Sequence, residues 1–195
     1  MPPALTPTSQ HEPGEAIVKI HNEFTIPLPI AEAWAMLNDI PSVARCAPGA
    51  ELLEQKDSGS YIGTISVRLG PVLLNFKGTV TYREVDEAAF RVTADATGTE
   101  TKARGTALAV VVFSLAAIEG GSRVLVDTDV QLAGSIAQYG RGAAMIQNTA
   151  QVIMNQFAKN FAAQVADPNG ERTAAAKPIS GFKVMAQGLG RTIRG

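Results

Sequence analysis

The stretch YGRGAAMIQNTAQVIMNQFAKNFAAQV, residues 139–165, decides how the rest of the chain is read. It holds no proline, and its glycines, Gly140 and Gly142, stand at its start. Ile146, Ala150, Ile153, Phe157 and Phe161 recur at three- and four-residue spacing, with Val165 one step on. Gln147, Gln151, Asn155, Lys159 and Ala162 fall on other faces. This periodicity predicts one long amphipathic helix over 139–166. A single helix with an apolar stripe needs a sheet to cover, and the preceding segments supply one.

Upstream of the helix the period is two. Residues 50–55, 61–69, 72–82, 90–97, 102–118 and 123–132 read as strands, separated by turn signals such as Asp57-Ser58-Gly59, Gly70-Pro71 and Gly120-Gly121. Residues 16–26 form a first strand that Pro27 and Pro29 stop. Pro29 then opens a short helix with Ile30, Trp34 and Leu37 on one face, and residues 39–47 form a second, ended by Pro48-Gly49. The order is strand, two short helices, six antiparallel strands and one long helix. That is an α+β class, a curved antiparallel sheet wrapped around a long C-terminal helix. No βαβ alternation or repeat competes with it.

A curved sheet gripping one helix leaves a space between them for a ligand. The expected apolar lining is Tyr61, Phe76, Phe90, Phe113, Met145, Ile146, Ile153, Met154, Phe157 and Phe161. Methionines adapt to varied shapes, and small residues at Gly63, Gly78, Ala94, Gly105 and Ala107 suit an unfilled interior. Tyr61, Tyr82, Asn75 and Tyr139 are the candidates to hydrogen-bond a ligand carbonyl, and the sequence does not rank them.

The chain of 195 residues is one domain of ordinary size with extensions. Residues 1–15, with four of the eleven prolines, read as a disordered arm; 16–166 is the ligand-binding body. Residues 167–180 read as a flexible linker and 181–195 as an amphipathic tail. The net charge of -1 and pI near 6.1 do not suggest nucleic-acid binding. The start lacks the pattern of a secretion signal, and no apolar run is long enough to span a membrane. The single cysteine, Cys46, reads as a small buried residue rather than a nucleophile. No metal-ligand spacing, phosphate loop or serine-nucleophile motif is present, so neither catalytic nor metal residues are assigned.

From Arg172 onward there are five basic residues and no acidic one. Phe182, Met185, Leu189 and Ile193 make one apolar stripe there, flanked by Lys183, Arg191 and Arg194. This pattern reads as a docking segment for an anionic lipid surface.

Three stretches carry a family resemblance. PLPIAEAWAMLNDIPSVARCAPGAE, residues 27–51, resembles the start of the G-subunit family of carbon monoxide dehydrogenase, within the helix-grip (START-like, polyketide cyclase-like) superfamily. The strand segment 63–82 with its Arg68, Gly70 and Pro71 turn fits it as well. The helix start Gln138-Tyr139-Gly140-Arg141-Gly142, with Met145-Ile146 and Asn155-Gln156-Phe157, is the third match. Over residues 16–166 the resemblance implies an accessory protein of a molybdenum-type carbon monoxide dehydrogenase. It implies a cytoplasmic protein, peripheral on the inner face of the cell membrane. It also implies an isoprenoid quinone such as menaquinone held between helix and sheet, with no covalent cofactor.

Three function classes follow. The first is a non-enzymatic carrier that delivers an electron acceptor to the dehydrogenase. The second is a cyclase or hydrolase sharing the same cavity, which needs a positioned acid or base. The third is a structural membrane tether with a filled core.

Overall fold

The computed structural model describes residues 16–56, 59–102 and 105–167. The expected arm at 1–15, and the linker and docking tail from 168 onward, lie outside the described residues.

Strand β1 (Ala16–Ile26) alternates cleanly, with Val18, Ile20, Asn22 and Ile26 buried and Lys19, His21, Glu23 and Thr25 exposed. Pro27 and Pro29 end it, and Pro29 O accepts the first helical bond, from Ala33 N at 2.9 Å. Helix α1 (Ile30–Asn38) buries Ala33 and Leu37. Asp39 turns the chain into α2 (Ile40–Cys46), with Pro41 in its first turn, where a missing N–H costs nothing. The Pro48-Gly49 pair then has a physical reason. Gly49 sits at φ +78°, and a Cβ there would lie 2.6 Å from Ser66 O. Only glycine lets the chain leave α2 this close to the sheet.

Six strands follow, β2 (Ala50–Lys56), β3 (Ser60–Leu69), β4 (Val72–Asp86), β5 (Arg91–Glu100), β6 (Gly105–Ile118) and β7 (Gly121–Gly134). They form one antiparallel sheet of seven strands in the order β1-β7-β6-β5-β4-β3-β2. Every neighbour but one is a sequential hairpin; β1 alone reaches across to β7. Bulges at Leu52/Glu54 and Tyr82/Glu84 bend β2 and β4. Gly63, Gly78 and Gly98 stand in one register row across β3, β4 and β5. A Cβ on Gly78 would come 1.9 Å from Thr97 O, so this row lets bent strands approach rather than leaving space for a ligand. Gly105 is likewise filled, by Ile136, whose side chain would lie 2.6 Å from an added Cβ.

Several boundaries differ from the periodicity, two of them with a clear local cause. The expected helix over 139–166 is divided into a single turn, α3 (Ala137–Gly140), and the long α4 (Ala143–Ala166), because the chain leaves helical geometry at Gly142. The strand expected to begin at Phe90 begins at Arg91. Phe90 occupies the left-handed region at φ 49°, closing the turn that precedes β5.

Helix α4 lies along the sheet with Ile146 and Phe161 buried and Gln147, Gln151, Asn155 and Lys159 exposed, as the stripe demands. The core it helps build is in two parts. One cluster joins Val18, Ile20, Leu69, Leu74, Leu132, Ile136 and Ile146. The other joins Ile26, Ala33, Leu37, Cys46, Leu115, Val124 and Phe161, with rings of Phe24, Trp34, Phe90, Phe113 and Phe157 packed around it.

Candidate functional site: the space between the two core clusters

Helix α4 touches one cluster through Ile146 and Ala150, and the other through Phe157, Phe161 and Val165. Ile153 and Met154, half-buried between these points, belong to neither. The sheet has a matching interval. The register aligns Val18, Val130, Ala109, Ala96, Val80 and Tyr61 in one inward row, and Ile20, Thr128, Val111, Ala94 and Tyr82 in the next. Ala94, Ala96, Ala109, Val111 and Val80 join neither cluster, and Val80 is 39 % exposed although it faces inward. Alanines on the sheet and a gap in the helix contacts leave the middle of the grip thinly packed.

The expected lining residues divide accordingly. Phe90 packs edge-on against Trp34 at 5.6 Å, Phe113 lies 6.0 Å from the same indole, and Phe157 bridges Phe24 and Phe161. These rings form the wall at one end. Phe161 is fully buried and Ile146 nearly so, which makes both of them packed core. Phe76 packs against the other cluster and covers Gly98. Met145 is 38 % exposed beside Gly70 and Gly142, at the outer end of the helix. Ile153, Met154 and Tyr61 are the ones placed at the interval itself.

The polar candidates also separate. Asn75 points to the other face, accepting from Ser66 Oγ at 2.8 Å. Tyr139 packs against the first cluster. Tyr61 and Tyr82 lie together on the inward face with ring centroids 6.0 Å apart. Burial pushes the Tyr82 hydroxyl well above the ordinary phenol range, with the Tyr61 phenol beside it adding to the effect.

The sequence did not disclose how the helix is fastened. Gln147 and Gln151 read as solvent-facing, yet both reach the edge strand β1. Gln147 Nε2 donates to Lys19 O at 2.9 Å, and Asn22 Nδ2 donates to Gln151 Oε1 at 2.8 Å. The two glutamines thus cover part of what a bare strand edge would otherwise expose. At the far end Asn160 Nδ2 donates to Cys46 O at 2.8 Å, and the Cys46 thiol donates to Gln164 Oε1 at 3.1 Å. Burial raises the Cys46 pKa against a smaller lowering by Arg45, so the thiol stays protonated, as a small buried residue should.

A separate recess of about 720 Å³ runs over the β1 edge, lined by Lys19, Ile20, His21 and Asn22 of β1, Val110, Val112, Asp127 and Asp129 of the sheet, and Gln147, Asn148 and Gln151 of α4. Its charged groups are already paired, Lys19 with Asp129 at 3.1 Å and His21 with Asp127 at 2.6 Å. An open recess flanked by two ion pairs is a poor enclosure for an apolar ligand. Among the described residues no three of His, Cys, Asp and Glu cluster to hold a metal ion, and no helix is long and apolar enough to cross a membrane.

An antiparallel sheet gripping one long helix defines the helix-grip class of START and polyketide cyclase-like proteins, and solved structures agree. A conserved protein from Geobacillus kaustophilus superposes with a TM-score of 0.64 at 15% identity, over 76% of this chain and 95% of that one. The Zhui aromatase/cyclase from Streptomyces sp. R1128 superposes with a TM-score of 0.54 at 15% identity, over 80% and 99%. At these identities the likeness is one of fold. Among proteins with curated descriptions none matches the sequence. The model of the carbon monoxide dehydrogenase G-subunit (CoxG) family matches residues 23–166, and the chain belongs to that family. The family supports an accessory role alongside carbon monoxide dehydrogenase.

Proposed function

We propose that this protein is a non-enzymatic carrier. In this reading it holds an apolar molecule, an isoprenoid quinone such as menaquinone, in the interval between α4 and the sheet. It presents that molecule as electron acceptor to a molybdenum-type carbon monoxide dehydrogenase. It works in the cytoplasm on the inner face of the cell membrane, docked to anionic lipid by the residue 181–195 stripe.

The observation that supports this reading is the divided core. A protein built only as a tether gains stability by filling its interior, at roughly 25 cal/mol for each Å² of apolar surface buried. Here Val80, Val111, Ile153 and Met154 remain half-exposed on inward faces, and a long apolar guest would complete their burial. The test is organic extraction of the full-length protein purified from its native cells, followed by mass spectrometry. A stoichiometric quinone supports the carrier. A cyclised or hydrolysed small molecule turning over in the presence of the protein would point to the enzyme class instead. An empty extract, with no quinone taken up on addition, would leave the tether.

A further inference from the structure

We propose that Tyr61 and Tyr82 form the polar end of the ligand space, a pair of hydroxyl donors that recognises a neutral carbonyl oxygen on an otherwise apolar molecule. The assignment rests on the carrier reading above and adds which chemistry the site selects.

The two side chains converge by construction. Tyr61 pairs with Val80 across β3 and β4, which makes Tyr82 its diagonal neighbour on the same face. The bulge at Tyr82/Glu84 fixes that orientation, and Arg83 holds it from the other face through its bond to Asp95. The rings meet at 6.0 Å and 58°, and both residues are half-buried.

Three other polar groups on the inward face are already used. Asn22 binds Gln151, Ser122 Oγ donates to Leu28 O, and Glu100 accepts from the backbone N–H of Asn75 and Lys102. The two phenols differ. Among the described residues neither hydroxyl makes a hydrogen bond within the protein, and neither is sealed from solvent. Two adjacent half-buried donors without acceptors are costly to cover with an apolar surface alone, so an occupant that brings an acceptor is favoured.

The chemistry selects further. With its pKa raised, Tyr82 remains an O–H donor throughout the physiological range. No cation shares its row, which runs Tyr82, Ala94, Val111, Thr128 and Ile20. A carboxylate such as a fatty acid would find no cation to pair with there, whereas a neutral ring carbonyl needs only the two hydroxyls.

The experiment uses the full-length protein with three probes: a prenylated naphthoquinone, the matching prenyl hydrocarbon, and a fatty acid of similar length. Binding is followed by fluorescence quenching and by the infrared band of the ring carbonyls. Tyr61→Phe and Tyr82→Phe keep ring shape, so each should melt close to the unaltered chain. Each should weaken quinone binding roughly threefold to tenfold while leaving hydrocarbon binding unchanged. The carbonyl band, lowered in frequency on binding, should return toward its free position in the double variant. Quinone binding and a carbonyl band unchanged in the double variant overturn the assignment while leaving the carrier reading intact. Failure of the unaltered protein to take up either quinone or hydrocarbon overturns both. Fatty-acid binding as tight as quinone binding overturns the selection for a neutral carbonyl.

Discussion

Asn22 on β1 and Gln151 on α4 are joined side chain to side chain at 2.8 Å, although 129 residues separate them in the chain. Asn22 is 5 % exposed, so its amide has no ready alternative in water. Gln151→Ala is expected to strand it and cost about 1–3 kcal/mol, read from urea unfolding. Replacing both residues, with Asn22→Leu and Gln151→Met, should recover most of that loss. Equal loss in the single and double variants would show that the bond does not fasten the helix.

The divided core predicts two kinds of mutant on one helix. Phe161 is fully buried in the aromatic cluster, and Phe161→Ala should cost about 3–5 kcal/mol. Ile153 lies at the interval, and Ile153→Asp should cost far less, since water reaches a half-buried carboxylate. The same variant should lose uptake of an apolar probe that Phe161→Ala, where it still folds, retains. Thermal melting and probe binding on one preparation distinguish the two. Matching losses in both assays would mean that the interior is a single core.

How much of this was legible in the sequence follows from what periodicity encodes. Alternation assigned faces correctly from Val72 to Tyr82 and from Val124 to Val130, and the stripe from Ile146 to Phe161 placed α4 on the sheet. Periodicity reports faces, not pairings. Alternation puts Asn75 on the face opposite Tyr82, and only the register sets Tyr82 beside Tyr61. Gln147 and Gln151 lie off the stripe and still bind β1, because an edge strand offers partners that no hydropathy pattern records. The inward glycines leave no open space for a related reason. Room at a missing side chain can be taken by a neighbouring backbone, as at Gly78, or by a side chain, as Ile136 does at Gly105.

His21 and Asp127 give the β1–β7 pairing a pH dependence. The hydrogen bond to Asp127, then its charge, raises the His21 pKa above 6.5, with Glu23 adding slightly and Lys19 and Asp129 paired alongside. A raised histidine pKa adds stability that is fully present below the unfolded value and is lost as pH rises through the folded value. The stability difference between the unaltered chain and His21→Gln should therefore be larger at about pH 5.5 than at about pH 9. Both groups are exposed, so the effect should also shrink with added salt. A difference that grows toward alkaline pH would contradict the pairing.

The tail and the body should separate cleanly. The family match ends at residue 166, and every cluster and fastening bond described above lies before Asp167. Deleting residues 177–195 should leave melting and probe uptake unchanged. It should abolish sedimentation with vesicles containing anionic lipid, and salt should weaken sedimentation of the full chain. Vesicle binding that survives the deletion would place the lipid contact on the body, and loss of probe uptake would make the tail part of the site.

The pairing of β1 with β7 sets the timetable of synthesis. Each of β2 to β6 finds a partner as soon as the next strand emerges, but Ile26 must wait for Ser122 and Ala16 for Leu132. At 5–20 residues per second, that is a delay of about 5–20 seconds on the ribosome. Throughout it Val18, Ile20 and Phe24 sit on a strand that has no partner strand. The charges at Lys19 and Glu23, set between them on the other face, guard the waiting strand against pairing with that of a neighbouring nascent chain. The strand that is made first is therefore also the one that must be kept soluble longest.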